Sequence, residues 1–126
     1  MTLGNGFLYN LVVKVETLVV TDLDGTLWFD GEECHPASLS AIEEIKNSNV
    51  PLLIATGRRL RSVTNAFQRY DFTDQAVLLN GSLGYCFQRS SNFFLQEFPL
   101  ENELRIKEIF EDCSLSPCFY ADDSYV

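Results

Sequence analysis

Residues 18–27 read Leu-Val-Val-Thr-Asp-Leu-Asp-Gly-Thr-Leu. An apolar, β-branched run delivers two carboxylates, Asp22 and Asp24, into a glycine turn. Such a run fits a strand buried on both faces of a parallel sheet. The strand is expected from Val12 to Thr21, and the turn beyond it exposes both acids. Two residues apart on extended backbone, their side chains point the same way. Like charges that close repel unless a cation lies between them, and Mg²⁺ takes carboxylate and phosphate oxygens together. The chemistry such a pair supports is phosphoryl transfer. Asp22 is the candidate nucleophile, and Asp24 is the candidate acid and base. Gly25 lets the backbone approach a phosphate, with the turn's N–H groups as an anion nest.

Two other readings compete for these acids. Asp-x-Asp-Gly also occurs in ordinary turns and in calcium loops. Glu33 even falls at the twelfth position counted from Asp22, but a calcium loop needs glycine at the sixth, where Leu27 stands. It also needs a preceding helix, and here a strand precedes.

Downstream, the chain alternates. Pro36–Ser48 reads as a helix, with proline in its first turn and Leu39, Ile42 and Ile45 on one stripe beside Ala41. Asn49 suits the left-handed residue that closes it. Val50–Ala55 is a second apolar strand, ended by Thr56-Gly57, and Arg59–Tyr70 is a second helix. Leu60, Val63, Ala66, Phe67 and Tyr70 form its inner side. Ala76–Leu79 is a third apolar strand, ended by Asn80-Gly81. Strand, helix, strand, helix, strand predicts βαβ units and a parallel sheet. Ligands in such sheets sit beyond the carboxyl ends of the strands. Asp22, Asp24, Thr56 and Asn80 all fall there.

In Leu-Leu-Ile-Ala-Thr-Gly-Arg, residues 52–58, a hydroxyl and a glycine precede a helix start, which makes a phosphate cradle. Thr56 and Gly57 are its expected contacts, and Arg58 is the candidate cation for substrate phosphate. A simple cap is the alternative for Thr56-Gly57. The spacing from the Asp22 motif, roughly 30 residues, is that of one βαβ unit. Arg59 and Arg61 are expected on a solvated helix face. Asn80 is expected to read substrate, with a plain turn as its alternative. His35, beside Pro36, is expected to be a cap or surface residue.

After Gly84 the pattern changes. Trp28–His35 reads as a polar loop, whereas Tyr85–Gln88 and Phe93–Phe98 read as a hairpin. Glu101–Cys113 is a helix, with Leu104, Ile106, Ile109 and Phe110 as its apolar positions. Pro117–Tyr120 and Tyr125-Val126 are expected strands around Asp122-Asp123.

The totals fit one globular domain. The chain has 126 residues, of which 46% are hydrophobic and 21% charged. Its net charge of −9 repels duplex nucleic acid and anionic membranes, so neither is an expected partner. No run approaches about 18 apolar residues, so no spanning helix is expected. Met1–Leu11 lacks a basic start, which argues against a signal peptide. The four cysteines, Cys34, Cys86, Cys113 and Cys118, form no Cys-x-x-Cys pair, and reduced thiols in a cytoplasmic protein are expected.

Val-Val-Thr-Asp-Leu-Asp-Gly-Thr-Leu, Ile-Ala-Thr-Gly-Arg and Leu-Asn-Gly-Ser together resemble motif I, motif II and the third-strand signature of the haloacid dehalogenase-like (HAD) superfamily. The branch they resemble is the Cof-type, subclass IIB phosphatases. The resemblance covers about residues 16 to 126. It implies an α/β fold: the N-terminal half of a Rossmann-like core over residues 1–84, and a linker hairpin and the start of an α/β cap over 85–126. It implies a Mg²⁺-dependent phosphatase of small phosphorylated metabolites, sugar phosphates or similar. Asp22 and Asp24 would be catalytic and metal-binding, and Thr56, Gly57, Arg58 and Asn80 substrate-binding. The family's motif III lysine and motif IV acids lie after the cap, and the sequence given ends before them. Lys46 and Lys107 sit in the wrong segments to replace that lysine, so the chain alone is expected to show little or no turnover. The alternative is a non-catalytic or vestigial fragment that needs a partner, with self-association through an incomplete sheet.

Overall fold

In the computed structural model, residues 16–30, 33–121 and 124–125 are described. The expected strand at Val12–Thr21 is described only over its end, as β1 (Val19–Thr21). β2 (Trp28–Asp30) and β3 (Glu33–Cys34) follow, then α1 (Pro36–Asn47) and β4 (Leu52–Ala55). α2 (Leu60–Tyr70) and β5 (Gln75–Leu78) complete the next unit. A short 3-10 turn (Leu79–Gly81) leads to β6 (Leu83–Cys86) and β7 (Ser91–Leu95). α3 (Leu100–Asp112), β8 (Tyr120–Ala121) and β9 (Ser124–Tyr125) end the order.

One five-stranded sheet runs β1-β4-β5-β6-β7. β1, β4 and β5 are parallel, in the register Val19↔Leu52, Thr21↔Ile54 and Ile54↔Ala76. β6 and β7 then add antiparallel. The architecture is the expected Rossmann-like α/β sheet with helices. The hairpin lies slightly earlier than its sequence suggests, and β6 pairs with β5, so Gly84 falls inside a strand of this sheet.

Burial explains why these segments hold. Leu52, Ile54, Ala76 and Leu78 point to one buried face, while their neighbours Leu53, Ala55 and Val77 are half-buried. Val63, Ala66 and Phe67 of α2 and Ile42 of α1 join that core. The α2 stripe is the one expected. In α1, Leu39 and Ile45 are half-buried and Ala41 is exposed. Phe67 stacks on Phe87 with centroids 4.1 Å apart and meets Phe72 edge-on at 5.6 Å. Helix ends follow local chemistry. His35 caps α1, its Nδ1 accepting from Ala37 N at 3.2 Å. Asn49 takes the left-handed conformation (φ 53°) after α1, as expected.

Three features depart from the sequence reading. Trp28–His35 is no loop: Trp28 pairs with Cys34, and Asp30 with Glu33, in a small antiparallel hairpin. Arg69 and Tyr70, at the end of α2, grip Glu33 of that hairpin at 2.9 Å each. These contacts hold the Glu33 carboxyl below its usual range, with the Arg69 hydrogen bond the largest cause. β1, expected to be buried on both faces, forms one edge of the sheet among the described residues, with Val20 53% exposed. Val20 lies on the face left uncovered there. The strand expected at Tyr125-Val126 is seen as Ser124–Tyr125, and Asp122, Asp123 and Val126 lie outside the described residues.

Phe72 is fully buried, so Phe72→Ala is expected to remove about 3–5 kcal/mol in urea unfolding. Phe94→Ala, at a half-exposed ring on β7, is expected to cost far less. Equal losses at the two positions would contradict this placement of the core.

Candidate functional site

The parallel pairing of β1 and β4 brings their carboxyl ends to one edge. Asp22 and Asp24 follow β1, and Thr56, Gly57 and Arg58 follow β4. Between the acids, Leu23 is fully buried and acts as an anchor, while both acids remain exposed. The turn beyond is closed by backbone hydrogen bonds: Gly25 N donates to Trp28 O at 2.8 Å, and Trp28 N donates to Leu23 O at 2.8 Å. Gly25 has φ 72°, the left-handed region that glycine adopts without strain.

The Asp22 carboxylate accepts from Leu23 N at 2.7 Å. Asp24 has a different partner. Arg58 grips it in a fork: Nε lies 2.8 Å from Oδ2, and Nη2 lies 2.7 Å from Oδ1. The Arg58 guanidinium also lies over the Trp28 ring, 4.7 Å from its centroid. The hydrogen bond from Arg58 holds the Asp24 carboxyl below the usual carboxylate range, against a smaller upward push from burial.

Thr56 is the buried polar residue of the site. Its Oγ1 accepts from Arg58 N at 3.2 Å and shapes the entry to α2. The loop after β5 closes onto the same place. Leu79 N donates to Arg58 O at 3.1 Å, and Asn80 N to Thr56 O at 3.4 Å. The Asn80 carboxamide lies over Gly57, where a Cβ would stand 2.6 Å from Oδ1. Gly57 therefore permits the close approach of Asn80. All six residues singled out from the sequence thus meet at the carboxyl ends of β1, β4 and β5.

Arg59 corrects the expectation of a solvated helix face: it is the N-cap residue of α2 and is half-buried, whereas Arg61 is exposed. Trp28 was read as the start of a loop, yet it packs against the site at 2% exposure. Its position four residues past Asp24 was the available signal. Lys46 binds Asp71 between the ends of α1 and α2, and Lys107 pairs with Glu103 within α3. Neither approaches the acids.

A metal can be weighed against these donors. Among the described residues no group of three or more His, Cys, Asp or Glu side chains is arranged to hold an ion. Mg²⁺, however, commonly takes only one or two protein carboxylates, with waters and substrate phosphate completing its octahedron. Asp22 fits that role as it stands, and Asp24 fits it once Arg58 lets go.

Because the folded-state value of Asp24 is depressed, its ion pair adds stability above the ordinary value of 3.8 and loses it as pH falls through the lowered one. Arg58→Gln is expected to return the Asp24 titration toward 3.8 in a carboxyl-carbon NMR experiment. A titration that does not move would show that the pair is absent in solution.

The profile of the haloacid dehalogenase-like hydrolase family matches residues 19–126. A pyridoxal phosphate phosphatase of Escherichia coli is 24% identical over 86% of this chain and 40% of its own length. A 5-amino-6-(5-phospho-D-ribitylamino)uracil phosphatase of Bacillus subtilis is 34% identical over 52% of this chain and 24% of its own. A solved HAD phosphatase structure from Bacteroides thetaiotaomicron, 19% identical, covers 93% of this chain and 44% of its own with a TM-score of 0.76. The chain thus spans about 40% of the length of the Escherichia coli relative. With that match spanning residues 19–126, the chain belongs to the haloacid dehalogenase-like hydrolase family.

Proposed function

We propose that this chain carries the nucleophile half of a phosphatase acting on small phosphorylated metabolites. The observation that carries the reading is the convergence of Asp22 and Asp24 with the Thr56-Gly57 loop at adjacent parallel strand ends. The phosphatase relatives support it at the level of reaction class.

The Thr56-Gly57 loop and the start of α2 receive the phosphate, with backbone N–H groups and the Arg58 guanidinium as donors. An Asp22 carboxylate oxygen attacks phosphorus. The bond from phosphorus to the ester oxygen breaks, and its electron pair leaves with that oxygen. Asp24, released by Arg58 and carrying a proton taken up from solvent, gives that proton to the leaving oxygen, and Asp22 becomes an aspartyl-phosphate. Asp24 then takes a proton from water, whose oxygen attacks phosphorus, so that inorganic phosphate departs and both acids are restored. When bound beside Asp22, Mg²⁺ offsets the repulsion between a carboxylate and a phosphate dianion.

Asn80, resting on Gly57, reads the group attached to the phosphate. Names among the relatives include a cofactor phosphate and a phosphoribityl compound. The proposed substrates are metabolites of that size, including sugar phosphates. The surface, at net charge −9, disfavours nucleic acid and anionic membranes. No helix among the described residues is long and apolar enough to cross a membrane. In this reading the chain works in the cytoplasm, and residues 85–126 open the cap. Copies can also associate through the β1 edge.

The test is covalent trapping. The chain is incubated with p-nitrophenyl phosphate and Mg²⁺, quenched in acid and mapped by mass spectrometry. The expected result is a hydroxylamine-labile phosphoryl group on Asp22, lost to background in Asp22→Asn. Label on another residue, or label retained in Asp22→Asn, would overturn the nucleophile assignment, whereas no label on a folded sample would favour the non-catalytic fragment that needs a partner.

A further inference from the structure

Arg58 occupies a position that its partners define unusually well. Its backbone is tied at both ends, by Thr56 Oγ1 to its N–H and by Leu79 N to its carbonyl. Its head group grips the Asp24 carboxylate in a fork and lies over the Trp28 indole. Trp28 is itself fixed. Its backbone bonds to both Gly25 and Leu23, it bridges to Asp24, and it pairs with Cys34 across the hairpin. The ring therefore moves with the turn that carries Asp24, and the guanidinium lies where both can reach it.

From this arrangement we infer that Trp28 is a positioning residue: its indole face holds Arg58 in place as the cation passes between Asp24 and an incoming phosphate monoester. The inference rests on the phosphate-site reading above. A phosphate dianion, although tetrahedral, presents two oxygens to the guanidinium fork as a carboxylate does, with greater charge. The two anions compete for one guanidinium whose root cannot move. A π-face attracts the cation without supplying a third acceptor, so it can retain Arg58 during the exchange. The exchange frees the Asp24 carboxyl at the moment substrate arrives. Neither the composition nor the spacing of the phosphate loop requires a tryptophan at this place.

Trp28 is the single tryptophan of the chain, so its emission reports the exchange directly. The 126-residue chain is titrated with inorganic phosphate against potassium chloride at equal ionic strength, with red-edge excitation and with phosphorus NMR as an independent measure of binding. A saturable emission change with the same midpoint as the NMR signal is expected. Arg58→Gln is expected to start from a shifted emission and to lose the phosphate response. Asp24→Asn, which removes the competing anion, is expected to lower the phosphate midpoint. Trp28→Phe should keep phosphate affinity near that of the parent, whereas Trp28→Leu should weaken it about two- to fivefold, the lower end of the range for one cation–π contact. Should Trp28→Leu fail to fold, the Arg58→Gln emission carries the test. Phosphate binding seen by NMR with flat Trp28 emission would overturn the positioning role and leave the phosphate site standing. An unchanged response in Arg58→Gln would overturn it as well. No phosphate binding by either measure would overturn both.

Discussion

Adjacent parallel strands deliver whatever follows them to the same edge of a sheet, and everything at this site follows from that constraint. β1 and β4 are hydrogen-bonded in register, Thr21 beside Ile54. The residues after Thr21 and those after Ala55 must then meet, although they are more than 30 positions apart in the sequence. β5 lies on the other side of β4 and brings Asn80 to the same edge. Had any of these strands paired antiparallel, its loop would emerge at the far end. The placement of the two acids beside the Thr56-Gly57 loop is a product of strand direction as much as of residue choice.

The same reasoning shows why so much was legible from sequence. Strands covered by helices must be apolar along their length, so Leu-Leu-Ile-Ala and Ala-Val-Leu declare themselves. Their ends are marked by Thr-Gly and Asn-Gly, and the ends are where ligands bind. What was not legible depends on partners distant in sequence. The hairpin of β2 and β3 is short and polar, and contacts between Glu33 and Arg69 and Tyr70, 36 and 37 residues away, help to fix it. Trp28 looked like a loop residue because only the folded turn shows what its ring covers. The fork between Arg58 and Asp24 is likewise a contact across 34 positions. Local patterns name the groups, but they do not say which group pairs with which.

The distribution of apolar surface follows from the same sheet. One face is filled by α1 and α2, where Ile42, Val63 and Phe67 lie. At the edges the filling stops among the described residues. Leu18 and Val20 near β1, and Phe93, Phe94 and Leu95 on β7, are each about half exposed. α3 likewise has no buried residue, and Leu104 and Ile109 are open. Gly84 illustrates how the β7 edge is arranged, since the Phe93 ring lies where a Cβ on Gly84 would stand, 2.4 Å from the nearest ring carbon. Large rings packed over a bare glycine cover backbone on one side and stay open on the other.

The loop after β5 adopts a backbone that stability alone would not favour. Leu79, Asn80 and Gly81 all have positive φ, at 53°, 53° and 101°. For a leucine that conformation is unfavourable by roughly 1–3 kcal/mol, and a standard turn would avoid it. The backbone bonds hold it in place: Leu79 N to Arg58 O, Asn80 N to Thr56 O and Ser82 N to Leu79 O. Two of these three bonds end on the Thr56-Gly57-Arg58 loop itself. The strain therefore serves to lock the third strand end against the second, with the Asn80 carboxamide laid across Gly57. A relaxed turn would leave Thr56 and Arg58 without that brace. The geometry of the Thr56-Gly57-Arg58 loop is thus maintained by a neighbouring segment, and the same segment brings Asn80 to the edge where the two acids lie.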